Sequence, residues 1–242
     1  MTRRLLDLVA SAAGLLILSP LLAVILLLVW RQDGKSPFYV ADRVGAGGRT
    51  FRMVKVRSMV INADRSGVES TGAHDARITP LGGFIRRWKV DELGQLWNVL
   101  LGQMSLVGPR PNTMREVALY SPEERRLLDV RPGITDLSSI VFSDEGDILA
   151  GKPDPDGAYR ELIWPWKSQL GLLYVHNKSL RLNLELITLT VVAIADKQRA
   201  LTGVDRILRR FRAPEALIEA SSRRLSLEAL AADMRGTTGM SA

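Results

Sequence analysis

The longest apolar stretch of the chain lies near its amino terminus, where residues 8–30 contain no charged side chain. About 20 apolar residues in an α-helix, each adding about 1.5 Å, cross a hydrocarbon core of about 30 Å. Pro20 interrupts the stretch near its middle, and because proline cannot donate a backbone hydrogen bond, a kink is expected there. Ser19 can donate its hydroxyl to a freed backbone carbonyl, which makes the break tolerable in lipid.

Basic residues flank this apolar stretch on both sides, with Arg3 and Arg4 before it and Arg31 and Lys35 after it. Basic residues beside a membrane segment concentrate on the cytoplasmic side. The pattern therefore favours a re-entrant helix that enters the membrane, bends at the Ser-Pro pair and returns to the same face. A kinked single span and a cleaved signal peptide are the two alternatives.

After the apolar stretch, the hydrophobic pattern shortens to that of β-strands. Residues 38–40 and 51–56 are typical of two strands of a β-hairpin, and the GAGG sequence at 45–48 supplies its turn. This glycine-rich sequence lacks the strand-to-helix context of a nucleotide-binding fingerprint, so a turn is preferred over a phosphate-binding loop.

Two consecutive helices are predicted from residue 79 to residue 102. Thr79 and Pro80 are typical of a helix start. Asp91 and Glu92 fall in the first turn of the second helix, where backbone N–H groups are unpaired and the helix dipole favours negative charge. Helix capping alone explains such acidic residues, so at this point both capping and a chemical role stay open.

Two arginines further along the chain stand beside prolines. Arg110 lies between Pro109 and Pro111, and Arg131 precedes Pro132. Proline restricts its own backbone and that of the residue before it, so each arginine has a well-defined direction. Planar guanidinium groups held in this way suit bidentate binding of phosphate oxygens.

The carboxy-terminal part contains two more apolar or amphipathic segments. Residues 170–195 interleave apolar and polar positions, and they suit an interfacial helix and a core helix equally well. Residues 196–212 are basic and amphipathic, a composition typical of a helix at a membrane surface.

Composition narrows the chemistry that the chain can perform. It has no cysteine, which excludes disulfides, thiolate zinc sites and cysteine nucleophiles, and its two histidines are too far apart to suggest a metal site. Any metal would be a hard cation held by carboxylates and phosphates. The net charge of +7 calls for a negative partner: an anionic membrane surface, a phosphorylated substrate or nucleic acid. Nucleic acid is disfavoured because zinc-finger and RNA-binding signatures are missing from the sequence.

The basic residues and the acidic pair together suit phosphoryl chemistry. Phosphoryl transfer needs a divalent cation held by a carboxylate and by substrate oxygens. A carboxylate can also act as the nucleophile and form an acyl phosphate. The chain has no serine elbow, P-loop lysine or histidine motif, so the carboxylate route is the one that its residues permit. The candidate phosphate ligands are Lys55, Arg57, Arg86 or Arg87, Arg110 and Arg131.

Four sequence motifs occur in a characteristic order. They are Ser19-Pro20 within the apolar stretch, KVRSM at 55–59, RITPLGGFIRRWKVDELGQLWNVLLGQMSLVGPRP at 77–111 and RPGIT at 131–135. This order resembles the bacterial sugar transferases, specifically the small monotopic polyprenyl-phosphate phosphoglycosyl transferases, over about residues 3–200. The resemblance implies transfer of a sugar-1-phosphate from a UDP-sugar to polyprenyl (undecaprenyl) phosphate, with release of UMP, as the first membrane step of glycoconjugate assembly.

The resemblance also implies roles for individual residues. Asp91 is the expected nucleophile of a ping-pong reaction through a covalent aspartyl-phosphosugar, with Glu92 in metal handling or proton transfer. Both carboxylates are the expected Mg2+ ligands. The remaining expected site residues are the substrate- and phosphate-binding Lys55, Arg57, Arg87, Arg110 and Arg131, and the membrane-helix break at Ser19 and Pro20.

The expected fold is α+β and mostly helical, with a re-entrant membrane helix (residues 1–35), a small β-hairpin within a helical catalytic domain (36–200) and a C-terminal basic amphipathic segment and tail (201–242). Interfacial amphipathic helices would bind an anionic membrane surface at the cytoplasmic face of the bacterial inner membrane. A homodimer stays open, as do the sugar and the prenyl length. A non-catalytic peripheral-membrane scaffold is the alternative function.

Four residues depart from the family pattern. Lys89-Val90 replaces the small hydroxyl or apolar pair that commonly precedes the acidic pair, and Gly94 replaces a proline. Asn183 stands where an aspartate is often found. In addition, RPGITDLSSI replaces the familiar RPGITGWAQV, so no sugar preference follows from that segment.

Overall fold

The computed structural model of the protein describes residues 2–68, 70–223 and 226–230. Within these residues the chain divides into two units. Unit 1 contains residues up to Ala63 and Ala76–Thr135, and unit 2 contains Asp64–Asp75 and the chain from Asp136 onward. The expected boundaries after residues 35 and 200 stay a prediction; residue 200 lies within the helix Lys197–Arg210. The tail beyond residue 230 lies outside the described residues.

Unit 1 combines four α-helices with two small sheets. The α-helices are α1 (Thr2–Asp33), α2 (Pro80–Arg87), α3 (Gln95–Leu100) and α4 (Met114–Ala118). The strands are β1 (Phe38–Val44), β2 (Thr50–Val56), β3 (Ser105–Val107) and β4 (Gly133–Thr135). Short 3₁₀ helices lie at Ala46–Gly48, Val90–Gly94 and Glu124–Asp129.

The apolar stretch forms α1, which continues through Pro20 as one helix. The Ser19 hydroxyl donates to the Leu16 carbonyl at 2.7 Å, and this carbonyl is the one that proline leaves without its usual backbone donor. The hydrogen bond expected of Ser19 is therefore present, while the expected role of the Ser19-Pro20 pair in bending the helix within a membrane stays a prediction. Among the described residues, α1 is the one helix long and apolar enough to cross a membrane. Large side chains such as Leu16 and Ile17 are exposed along it.

The predicted hairpin is confirmed. β1 and β2 pair antiparallel in a register that runs from Phe38 opposite Val56 to Val44 opposite Thr50. Gly47 turns the chain with a φ of 67°, a conformation that glycine adopts without strain. The glycine-rich residues are thus a turn, as the sequence indicated.

A second, parallel sheet joins two segments that are distant in sequence. β3 and β4 pair with Ser105 opposite Gly133 and Val107 opposite Thr135. A Cβ atom on Gly133 would lie 2.0 Å from the backbone nitrogen of Gly108. Only glycine fits this backbone contact, which holds the SLVGPRP and RPGIT motifs side by side.

Unit 2 is helical. Its helices are α5 (Leu137–Val141), α6 (Glu145–Leu149), α7 (Pro155–Ala158), a π-helix at Tyr159–Ile163, α8 (Trp164–Asn177), α9 (Leu180–Ala195), α10 (Lys197–Arg210) and α11 (Glu215–Ser222). Asn183 on α9 is buried, and its side-chain oxygen accepts a hydrogen bond from the Tyr174 hydroxyl on α8 at 2.9 Å. The family departure at Asn183 is therefore part of the packing between these two helices.

The two amphipathic segments of unit 2 differ in what covers their apolar faces. The apolar side of α10, including Leu201, Val204 and Leu208, is buried within unit 2. The prediction of a membrane-surface helix at 196–212 therefore fails for this face, because protein already covers it. α9 buries one side and leaves other apolar side chains, such as Val191, exposed.

Taken together, these elements confirm an α+β, mostly helical fold with a small hairpin and an apolar amino-terminal helix. Two apolar clusters hold unit 1 together. One joins the end of α1 to β2 and α2, and the other joins β2 to α3. Their buried members are Ile25, Val29, Val56, Ile85 and Val90, and Phe51, Met53, Val99 and Met104.

Candidate active site

Asp91 and Glu92 lie on the 3₁₀ helix Val90–Gly94, which connects α2 to α3. Thr79 caps α2 as predicted, since its hydroxyl accepts from the Gly82 N–H at 2.9 Å. The chain enters the 3₁₀ helix through Lys89, whose φ of 56° lies in the left-handed region. Such strain in a residue other than glycine is concentrated at functional sites.

Neither carboxylate of the pair forms a helix cap. The 3₁₀ helix has no side-chain cap, and α3 has none either. Asp91 is 7% exposed, and its Oδ1 atom is buried without a hydrogen-bond partner. A buried acceptor without a partner costs free energy, about 1–3 kcal/mol. The capping interpretation does not account for this burial, so a chemical role is favoured.

A lysine and an arginine approach the acidic pair. Lys55 Nζ lies 3.9 Å from Asp91 Oδ2, and Arg110 Nη2 lies 2.9 Å from Glu92 Oε1. Gly94 packs closely on β2, since a Cβ atom there would lie 3.0 Å from the Val54 carbonyl oxygen. This close approach brings Lys55, the next residue of β2, to the acidic pair.

Burial and neighbouring charges shift three pKa values at this site. Burial raises the pKa of Asp91, although the positive charge of Lys55 acts against this effect. Burial, followed by the positive charge of Arg110, lowers the pKa of Lys55 to about 8. For Glu92, burial acts to raise the pKa, but the charges of Arg110 and Lys55 outweigh it and lower the pKa to about 2. The site thus holds one firmly ionised carboxylate and one that needs cations to stay ionised.

Arg86 rather than Arg87 acts on the acidic pair. Arg86 is half-buried, and its positive charge lowers the pKa of Asp91, whereas Arg87 is exposed. The family resemblance led to Arg87 as the expected ligand, and the structure favours its neighbour. The sequence alone could not decide between the two, because the end of α2 fixes which side chain points inward.

Arg43 is a cation at the site that the sequence analysis did not identify. It is half-buried on β1, and its positive charge contributes to lowering the pKa of Lys55. Arg43 pairs with Phe51, so it shares one face of the hairpin with Phe51, Met53 and Lys55. The alternation of the two strands, once their register was known, could have revealed it.

Arg57 does not reach the acidic pair. Its guanidinium forms a two-pronged ion pair with Asp33, at 2.6 and 2.7 Å, and its Nε donates to the Ser36 carbonyl at 2.8 Å. Because Arg57 is buried and its donors are bonded to protein oxygens, we assign it a structural role. Arg57 directly follows β2, and its bonds to Asp33 hold this end of β2 against the end of α1. This role differs from the substrate-binding role expected from sequence.

Arg131 lies near the Pro109-Arg110 segment. The Gly133 N–H donates to the Pro109 carbonyl at 3.0 Å, which places the two proline-flanked arginine segments beside each other. Arg131 is exposed, and it has no acidic partner among the residues that the structure describes. Its guanidinium is therefore available to an anion.

The acidic pair fits a hard cation that a substrate helps to bind. Within residues 2–68, 70–223 and 226–230, no group of three histidine, cysteine, aspartate or glutamate side chains forms a complete metal site. Asp91 nevertheless offers a buried oxygen without a partner. Mg2+ commonly takes one or two carboxylates and fills its other positions with water and phosphate oxygens. The residues present therefore fit Mg2+ bound together with a phosphorylated substrate.

Unit 1 thus contains an apolar helix that is compatible with membrane association, and basic residues that approach a buried acidic pair. The family model described as bacterial sugar transferase matches residues 1–197, and the chain belongs to this family.

Relatives with curated names agree with this membership. The chain is 40% identical over 149 residues to the galactosyl transferase CpsE of Streptococcus agalactiae, covering 57% of this chain and 33% of that protein. It is 34% identical over 152 residues to the UDP-N-acetylgalactosamine-undecaprenyl-phosphate N-acetylgalactosaminephosphotransferase of Aeromonas hydrophila, covering 60% and 35%. It is 32% identical over 209 residues to the exopolysaccharide production protein ExoY of Rhizobium meliloti, covering 80% and 85%. The chain thus spans about a third of the first two relatives and most of the third.

Proposed function

We propose that the protein transfers a sugar-1-phosphate from a UDP-sugar to polyprenyl phosphate at the cytoplasmic face of a bacterial inner membrane. The products are polyprenyl-diphosphate-sugar and UMP. One observation carries the proposal: the buried Asp91 carboxylate has a free oxygen and lies beside Lys55, in the unit that also contains α1. Family membership and the names of the relatives support the substrate class.

The charges around the site suit a diphosphate. Lys55, Arg86 and Arg110 all act on the acidic pair, while Arg43 acts on Lys55. These positive charges exceed the two carboxylates, so the site can take up a further anion. Guanidinium groups bind phosphate oxygens bidentately and stabilise the charge that develops during phosphoryl transfer.

The proposed reaction has two halves. In the first half, a carboxylate oxygen of Asp91 forms a bond to the sugar-linked phosphorus. At the same time the bond from that phosphorus to the bridging oxygen breaks, and UMP leaves with this oxygen. In the second, an oxygen of polyprenyl phosphate attacks the same phosphorus and releases the Asp91 carboxylate. Because burial raises the pKa of Asp91, the nearby cations are needed to keep the nucleophile ionised.

Asp91, with Glu92 beside it, would hold Mg2+ at this site. When bound, Mg2+ would neutralise charge on the diphosphate oxygens during the transfer. Glu92 stays ionised through its ion pair with Arg110, and in this way it positions the guanidinium next to the acidic pair. The non-catalytic scaffold finds no support in the site, because a surface that only binds membranes has no need of a buried carboxylate without a partner.

The test uses intact-protein mass after incubation with a panel of UDP-sugars and Mg2+, without a prenyl acceptor. We expect wild type to gain the mass of one phosphosugar and Asp91→Asn to gain none, with UMP release falling by several orders of magnitude. Asp42→Asn, at an exposed position on β1, is the matched control and should behave as wild type. A mass gain that persists in Asp91→Asn, or kinetics that require a ternary complex, would contradict the covalent route.

A further inference from the structure

The strand β3 has a strand partner on one edge and a helix on the other. β4 pairs with one edge, and the first two turns of α1 supply hydrogen bonds to the opposite edge. The Leu106 N–H donates to Asp7 Oδ1 at 3.0 Å, and Arg3 Nη2 donates to the Val107 carbonyl at 2.5 Å. Side chains of α1 therefore replace a missing neighbouring strand.

The bonds between α1 and β3 are shielded from water. Asp7 and Ser105 are each 2% exposed. The Ser105 hydroxyl donates to Asp7 Oδ2 at 2.8 Å and also accepts from Arg3 Nη2 at 3.2 Å. Burying a carboxylate is costly unless its oxygens are bonded, and here both of them are. Anchoring in lipid needs no such group, so the polar contacts of Asp7 point to a task inside unit 1.

A short and rigid path leads from β3 to Arg110. Only two residues separate Val107 from Arg110, and prolines flank the arginine on both sides. Backbone hydrogen bonds fix this path: Gly108 N–H donates to the Thr135 carbonyl at 2.9 Å, and Pro109 accepts from Gly133 at 3.0 Å. A shift of β3 must therefore also move the guanidinium that contacts the acidic pair.

We infer that Asp7 and Arg3 are positioning residues for Arg110, so that the amino-terminal turns of the membrane-associated helix form part of the phosphate-binding apparatus. They act by fixing the edge of β3 and have no contact with the substrate. This inference rests on the proposed function for its effect on turnover. Its structural part, the order of residues 105–110, can be tested without turnover.

Asp7→Asn is the informative variant, because the amide keeps the size of the side chain but replaces one acceptor by a donor. Ser11→Ala is the matched control. Ser11 is also fully buried on α1, one turn further on, but its hydroxyl donates to carbonyl groups of its own helix. We expect kcat/KM for the UDP-sugar to fall about tenfold in Asp7→Asn, as for other residues that orient a ligand-binding group. Ser11→Ala should stay close to wild type.

A double-mutant cycle tests whether Asp7 acts through Arg110. If it does, the loss caused by Asp7→Asn should shrink from about tenfold to about twofold in an Arg110→Lys background, because the target of the positioning has already been altered. Full multiplication of the two losses would overturn the inference, and so would equal losses in Asp7→Asn and Ser11→Ala. Arg3→Gln gives a second, independent variant with the same expected non-additivity.

Hydrogen exchange of the full chain in detergent provides the readout that does not depend on turnover. In Asp7→Asn the Leu106 amide should exchange about fivefold faster, since it loses its charged acceptor. Ser11→Ala should leave this amide unchanged. Unchanged exchange in Asp7→Asn overturns the inference whatever the activity. If no UDP-sugar yields UMP with wild type but exchange responds as expected, the proposed function fails while the positioning of β3 by α1 stands.

Discussion

The close approach of two backbone segments at Gly133 gives a sharp prediction for Gly133→Ala. A Cβ atom at this position would lie 2.0 Å from the nitrogen and 2.5 Å from the oxygen of Gly108, and 2.6 Å from the carbonyl carbon of Val107. All three atoms belong to the backbone, so no side chain can rotate to make room. β3 and β4 must therefore separate, and the variant should be strongly destabilised.

The size of the effect follows from the bonds between the two segments. Separation endangers three hydrogen bonds: Gly133 to Pro109 at 3.0 Å, Gly108 to Thr135 at 2.9 Å and Ser105 to Pro132 at 2.9 Å. At about 1 kcal/mol each, their loss costs about 3 kcal/mol. Overpacking adds about 1–3 kcal/mol. The total of about 4–6 kcal/mol corresponds to a fall in Tm of about 10–20 °C for a chain of this size.

Thermal unfolding in detergent, followed by circular dichroism, measures this change. Gly83→Ala is the control, because Gly83 lies on α2 and a Cβ atom there meets nothing within 4 Å. Alanine in an open helical position stabilises by about 0.5–1 kcal/mol, so the Tm of this variant should stay level or rise slightly. If Gly133→Ala unfolds within a few degrees of wild type, the two backbones can separate at little cost, and the account of this sheet is wrong.

Two further predictions concern the site and the membrane helix. Arg86→Gln should reduce kcat/KM for the UDP-sugar at least about tenfold more than Arg87→Gln does. The reason is that Arg86 is half-buried and its charge acts on Asp91, whereas Arg87 is exposed. Equal losses in steady-state assays would reject this assignment. Side chains near both ends of α1 are hydrogen-bonded to the rest of unit 1. Single cysteines at the exposed positions Thr2 and Lys35 should therefore react with an impermeant maleimide from the same side of the membrane. Labelling from opposite sides would establish a single span instead.

Local signals explain which parts of the fold could be predicted from sequence. Thr79 with Pro80 marks a helix start, glycines mark the hairpin turn, and Ser19 lies within reach of the carbonyl that Pro20 leaves free. Each of these depends on residues within four positions of each other. The order of the motifs identified the family and the acidic pair in the same way, from short stretches of sequence.

What escaped prediction depends on residues far apart in the chain. Asn98 is one example: its side chain donates to the Arg52 carbonyl and accepts from the Val54 N–H, so it joins α3 to β2 across more than 40 positions. A buried asparagine in a helix gives no sign of its partner. Arg57 belongs to the same class, because its sequence neighbours suggested a ligand while Asp33, which it binds, lies on α1.

The asymmetry of α10 shows a further limit of sequence patterns. An amphipathic helix with a basic face has the same composition whether its apolar side meets lipid or protein. Here Leu201, Val204 and Leu208 are buried against other helices of unit 2. The pattern could predict the helix and its two faces, but the identity of the covering surface is a property of the tertiary fold.

The fastening of α1 at both ends bears on attempts to make a water-soluble version of this protein. Deleting the helix would uncover Val56 and Ile85, and it would remove the Asp33 carboxylate and the Val29 carbonyl to which the Arg57 guanidinium donates. Such a truncated chain should aggregate rather than dissolve. Polar replacements confined to the outward positions of the intact helix avoid this damage, and the side chains to change first are Leu16, Ile17, Val24 and Leu27, all more than half exposed.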